Sequence, residues 1–172
     1  MKGEKVFLRA VELTDANALY AIENEVEDWC YSDTVKPFSY FAMEQYVIES
    51  ATRDIYTSKQ LRLMICENNS EKIVGVIDLF DFNPLNKRAG LGILIIKQFR
   101  QKGYASEALQ LLILYAFKTL QLKQLYCNIA VDNSASLLLF QKFGFQQNGV
   151  FKSWRYHDNV WKDEFFLQLI TD

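Results

Sequence analysis

Residues 90–120 place the tightest constraint on how this chain can fold. The run Gly90-Leu91-Gly92-Ile93-Leu94-Ile95-Ile96 is β-branched and apolar. A short basic stretch follows, Gln98-Phe99-Arg100-Gln101-Lys102-Gly103-Tyr104-Ala105-Ser106, and then apolar residues recur at helical spacing from Ala105 to Leu120. The order is strand, loop, helix. Such a junction turns several backbone N–H groups outward at the positive end of a helix dipole, where an anion, above all a pyrophosphate, is the natural occupant. Arg100 and Lys102 add positive charge, Gly103 permits backbone angles other residues resist, and Ala105 keeps the helix start small. Two glycines in one strand carry a cost unless a ligand approaches the backbone there or a bulge occurs.

Bulk properties limit the alternatives. A chain of 172 residues, 50% hydrophobic, supports one packed domain over 1–172 and is short for two. Lysine plus arginine number 19 against 21 acids, a net charge of −2, which gives no general electrostatic reason to hold nucleic acid. Cys30, Cys66 and Cys127 are odd in number and widely spaced, with no Cys/His cluster, so neither a metal site nor a disulfide framework is expected. The longest apolar run, Leu111 to Phe117, is far below a membrane span, and the N-terminus lacks the apolar core of a signal peptide. A cytoplasmic protein is the expectation, with homo-oligomerisation left open.

The rest of the chain reads as a strand at Lys5–Ala10, a helix capped by Thr14 and running to about Asn24, and a second helix over Ala42–Tyr56. Strands follow at Leu61–Cys66, Ile73–Phe82 and Ala89–Ile96, and after the long helix another at Gln124–Val131. Asp132-Asn133-Ser134 caps a short helix that stops at Gly144, and two final strands, Phe145–Tyr156 and Val160–Ile170, meet across Asp158-Asn159. The order β-α-α-β-β-β-α-β-α-β-β predicts a mixed α/β sheet with helices packed on it.

Two blocks in that framework carry a family resemblance. Arg100-x-x-Gly103-x-Ala105 resembles the Q/R-x-x-G-x-G/A loop of the GNAT superfamily of acyl-CoA-dependent N-acyltransferases. Asn133-x-x-Ser136-x-x-x-Phe140-x-Lys142-x-Gly144-Phe145 is similar to that family's second block. Element order extends the likeness over nearly the whole chain. Asp78 to Arg88 and the ending Trp154 to Leu167 look like the branch holding bacterial spermidine/diamine and ribosomal-protein N-terminal acetyltransferases.

The resemblance implies a mainly antiparallel sheet of six to seven strands flanked by about four helices, with acetyl-CoA as co-substrate. It implies that Arg100, Gln101, Lys102, Gly103, Tyr104, Ala105 and Ser106 cradle the pyrophosphate. A bulge in the glycine-bearing strand splays it from its neighbour, and the pantetheine arm meets backbone at Ile93, Leu94 and Ile95. Asn128, Asn133, Ser136, Phe140 and Lys142 complete the implied cofactor contacts. An aliphatic amine acceptor, with a reference pKa of about 10.4, must lose a proton before it attacks the thioester directly. Asp78 is the candidate base or acceptor contact, with Asp81 as a weaker candidate because it also begins a turn. Three apart in a regular strand, the two face opposite ways unless a bulge intervenes. Phe140 stands where many members carry a tyrosine that protonates the leaving thiolate, and phenylalanine has no proton to give.

The acceptor is expected to meet the acidic stretch after the first helix. Glu27, Asp28 and Asp33 lie there with Trp29 and Tyr31 interleaved and no lysine or arginine from Glu23 to Asp33. Carboxylates beside aromatics suit a cationic amine, though a solvated helix end has the same composition. A small diamine or polyamine is the leading acceptor. The α-amine of a protein N-terminus and a weakly active acyl-CoA-binding relative are the alternatives. His157, the only histidine, sits beside a turn where an exposed histidine is ordinary.

Overall fold

The computed structural model describes residues 1–32 and 34–171; Asp33, one of the acceptor-wall candidates, lies outside them. Seven strands form one sheet: β1 (Val6–Ala10), β2 (Leu61–Glu67), β3 (Ile73–Asn83), β4 (Arg88–Ile95), β5 (Gln124–Ala130), β6 (Gln146–His157) and β7 (Val160–Ile170). Their order is β1-β2-β3-β4-β5-β7-β6. Every neighbouring pair is antiparallel except β4 and β5.

Both faces of the central strands are covered, which explains their unbroken apolar runs. On one face Leu63, Ile65, Ile77, Leu79 and Leu91 pack under Ala108, Leu109 and Leu112 of α4 (Tyr104–Lys118). The alternate residues Met64, Cys66 and Val76 face α1 (Ala16–Glu23) and α2 (Tyr40–Thr52), through Leu19, Ile22, Met43 and Val47. Leu19, Leu109 and Leu112 are fully buried, each contributing about 1.5–3 kcal/mol by removal from water.

Two local expectations change. The single helix expected over 42–56 is broken at Arg53, whose backbone is extended; Asp54 then caps a separate turn, α3 (Ile55–Ser58), by accepting the Thr57 N–H at 2.8 Å. The first helix is not capped by Thr14. Asp15, gripped by both terminal nitrogens of Arg9, accepts the Glu12 N–H at 2.8 Å and a 3₁₀ turn leads into α1. Gly144 does end α5 (Ser134–Lys142), with φ of +87°.

The feature that positions the site is the junction of β4 and β5. Their parallel pairing spans only Arg88–Gly90 against Gln124–Tyr126. Beyond it, β4 stays on β3 through Ile95 while β5 stays on β7 through Ala130. The sheet therefore opens into a wedge. The expected bulge in the glycine-bearing strand is absent, since β4 pairs regularly with β3 from Gly90 to Ile95. The irregularity sits in β3 between Phe80 and Asn83, where Asp81 has φ of +48°.

Candidate active site

The wedge holds a cavity of about 130 Å³. Leu91, Gly92 and Ile93 of β4 line one side and Cys127, Asn128 and Ile129 of β5 the other. Asn133, which caps α5, Ser136 and Phe140 of α5, and Tyr31, Arg155 and Glu164 complete the lining. The two β4 glycines have different reasons. A Cβ at Gly90 would lie 2.2 Å from the Phe80 ring, so that glycine serves packing. At Gly92 the nearest atom is 3.8 Å away, so its missing side chain is open cavity.

The β4 backbone also faces the wedge. Ile96 N–H donates to Val74 on β3, whereas the Ile95 carbonyl accepts from Arg100 Nε at 2.9 Å on the other side. By strand alternation Ile93 turns its N–H and C=O the same way as Ile95, into the wedge, while Leu94 turns to β3. Of the three expected backbone contacts, Leu94 is thus oriented away.

At the mouth, Gly103 caps α4 with φ of +86°, and Gln101 is also left-handed at +62°. Among the described residues nothing accepts from the backbone N–H groups of residues 101–106. They point outward at a helix N-terminus, where the dipole and free donors favour an anion. Side chains play other parts. The Tyr104 hydroxyl bonds Glu67, which together with burial raises the phenol's pKa, so Tyr104 and Ala105 offer backbone only. Lys102 Nζ lies 5.3 Å over the Phe99 ring, and Lys142 Nζ donates to Ser106 Oγ at 2.9 Å, joining α5 to the first turn of α4. Behind the loop, Lys5 Nζ donates to the Lys102 carbonyl at 3.2 Å. Glu107 accepts the N–H groups of Glu4, Lys5 and Val6 at 2.7–2.8 Å. Burial opposes the Glu107 charge, but those three donors hold its pKa below the ordinary value.

Two of the acids expected at the acceptor wall face the loop that precedes α4 instead. Asp28 takes Arg100 with both oxygens, at 2.6 and 2.7 Å, and Glu27 pairs with Lys97. These bonds tie the 3₁₀ segment Val26–Tyr31 to the loop that precedes α4. Trp29 donates its indole N–H to the Glu23 carbonyl at 2.8 Å. It lines a wider groove of about 500 Å³ with Val26, Val35, Trp154 and Tyr156. Arg155 borders both spaces. His157 lies in that groove's wall, beside Asp158 at 3.2 Å.

Asp78 is on the α1–α2 face, opposite Gly92, and both its oxygens are held by Arg62 at 2.6 and 3.0 Å. Arg62 also pairs with Glu23 and lies 5.3 Å over the Tyr46 ring. Burial works against the guanidinium's charge, yet the attraction of Asp78 overrides it and raises the pKa. Asp81 is exposed; the β3 irregularity carries it to Tyr126, whose hydroxyl donates to it at 3.3 Å, so Asp78 and Asp81 end on one face. Burial, then Asp81, push Tyr126 up to about 12. Phe140 is buried edge-on against Phe145, with ring centres 5.0 Å apart. The Asn133 side chain caps α5 by accepting the Ser136 N–H at 3.1 Å while also lining the cavity.

Arg155 and Glu164 escape a reading of the sequence. Glu164 is 2% exposed and accepts from Arg155 Nε at 2.6 Å; Arg155 also donates to the Ser32 carbonyl at 2.7 Å. The available signal was an acid beside an apolar run, Glu164-Phe165-Phe166-Leu167. Its meaning depends on the irregular β6–β7 register between Phe151 and Arg155, which no local pattern announces.

Comparison with known proteins agrees with this geometry. Residues 5–146 match the Acetyltransferase (GNAT) domain. The spermidine N(1)-acetyltransferase of Vibrio cholerae serotype O1 is 24% identical over 147 residues, 86% of this chain and 82% of that protein. The same enzyme of Escherichia coli strain K12 is 26% identical over 151 residues, covering 86% and 76%. A crystal structure of spermidine N-acetyltransferase from Vibrio cholerae in complex with CoA and spermine superposes with a TM-score of 0.88 at 20% identity, covering 98% of this chain and 96% of that one. The chain belongs to the GNAT acetyltransferase family: it is an N-acetyltransferase, with acetyl-CoA as its co-substrate.

Proposed function

We propose that the protein acetylates a primary amine by direct attack on the acetyl thioester, and that the acceptor is a small cationic amine of the diamine or polyamine class. The observation that carries this is the wedge between β4 and β5, with unpaired N–H groups at its mouth and a cavity at Gly92. The residue 101–106 N–H groups would hold the pyrophosphate, Ile93 backbone the pantetheine, and Asn128 and Ser136 the thioester end. The co-substrate supplies an activated acyl group whose thiol is a fair leaving group. Positioning then contributes more than acid help. That suits a site where Phe140 fills the usual tyrosine's place.

Two features favour the acceptor class. The groove beside Arg155 offers Trp29, Trp154 and Tyr156 to an alkylammonium chain, through apolar contact and cation–π attraction. Relatives that match 86% of this chain include spermidine N(1)-acetyltransferases. No acyl-enzyme is required. Cys127 is the only thiol among the described residues of the cavity lining, and burial raises its pKa, so it is held as the poorly nucleophilic thiol.

Incubation with acetyl-CoA and a panel of spermidine, putrescine, simple monoamines and N-terminal peptides tests the reading. Thiol release and product mass would be followed together. Acetylated spermidine or putrescine is expected. Turnover of peptides alone would overturn the small-amine assignment, and CoA binding without turnover of any amine would leave a binding protein.

A further inference from the structure

We infer that Glu164 is the carboxylate that meets the acceptor amine and takes its proton, with Arg155 as the positioning residue that aims it. This rests on the N-acetyltransferase reading and deepens it by naming a base other than Asp78.

The cavity lining decides by elimination. Thirteen described residues border the cavity, and among these Glu164 is the only carboxylate. The titratable and charged groups that face it are few. β6 supplies Arg155, β5 supplies Cys127, and the 3₁₀ segment supplies Tyr31; β4 and α5 supply only apolar residues, glycine, serine and asparagine. Burial raises the pKa of both Tyr31 and Cys127, so the phenol and the thiol stay protonated at neutral pH and take no proton from the amine. Asp78 does not border the cavity, and Arg62 occupies both its oxygens. The other buried acid, Asp15, is bound to Arg9 near the start of α1.

Glu164 is held for the task. It sits opposite Ala130 at the end of β5, and its Oε1 accepts from Arg155 Nε at 2.6 Å. No described residue donates to Oε2. Arg155 is fixed in turn by the Ser32 carbonyl, and Ser153, at φ of +49° in the irregular part of β6, is tied to Asp163 through its N–H at 2.8 Å. One oxygen is thus anchored and the other is left for the incoming cation. The proton balance closes with no added reactant. The ammonium gives one proton to Glu164 Oε2. The freed lone pair forms the C–N bond as the C–S bond breaks, and the second N–H proton goes to the departing thiolate. Glu164 then returns its proton to water.

The test is Glu164→Gln, which keeps shape and an acceptor for Arg155, assayed for kcat/KM against pH alongside calorimetric CoA binding. CoA affinity should be unchanged. At neutral pH kcat/KM for the amine should fall about 100-fold. The deficit should shrink as pH climbs towards about 10, because the uncharged amine then supplies itself. A wild-type-like rate, or a deficit that does not narrow with pH, would overturn the inference while leaving the acetyltransferase reading intact. Absence of any amine acetylation by the unaltered protein would overturn the reading itself. Should Glu164→Gln fail to fold, the Arg155→Met/Glu164→Met double substitution exchanges the buried pair for apolar packing. Retained turnover in that double variant would equally refute a base at 164.

Discussion

The two sides of the wedge are built from different materials. The side proposed for the cofactor is backbone: the N–H groups of residues 101–106, the inward-turned strand at Ile93, and the space left by Gly92. The side proposed for the acceptor is side chains brought from four remote segments, with Asp28 on Arg100, Arg155 on Ser32 and Glu164, and Tyr31 beside them. Backbone sites need only a local conformation, which a few residues encode. Side-chain sites need register and tertiary placement, and they tolerate change in which residue supplies a charge.

Substitutions can break that contrast in order of size. Arg62→Met should cost the fold most, since it strands Glu23 and Asp78, largely buried beside the wedge, as unpaired acids. A loss of about 3–5 kcal/mol is expected in urea unfolding. Gly92→Val has strand propensity in its favour and no clash at Cβ, so the fold should survive. The side chain would occupy the cavity, and turnover should drop about 100-fold in steady-state kinetics. If Gly92→Val retained full activity, the cavity would not be where the thioester lies. Gly103→Val forces a β-branched residue to φ of +86° within 3.0 Å of Lys5 Nζ. A left-handed penalty of about 1–2 kcal/mol corresponds to roughly tenfold weaker acetyl-CoA binding by calorimetry. Asn133→Ala removes the α5 cap and should lower stability by about 1 kcal/mol, read from the thermal midpoint. Lys97→Ala, which deletes an exposed pair with Glu27, should leave the thermal midpoint unchanged and serves as the control.

The contrast also accounts for what was legible beforehand. The strand–loop–helix at 90–120 and the Asn133–Phe145 block are local patterns, and their elements fold where periodicity places them. The hairpin turn at Asp158-Asn159 was equally readable, and both residues adopt the left-handed angles such a turn needs. Asp78 shows the limit. Its place on β3 follows from the pattern, but its engagement by Arg62 depends on the β2–β3 register. Glu27 and Asp28 looked like an open acidic wall because their partners, Lys97 and Arg100, lie about seventy residues away in sequence. Arg155 and Glu164 depend on a two-residue excess in β6 opposite β7, a tertiary feature with no sequence signature.

Hydrogen exchange with and without CoA tests the backbone origin of the cofactor side most directly. Amides of residues 101–106, without an acceptor among the described residues, should exchange fast in the unliganded protein and slow markedly when CoA is added. CoA binding that left those amides unprotected, with protection arising elsewhere, would contradict the account.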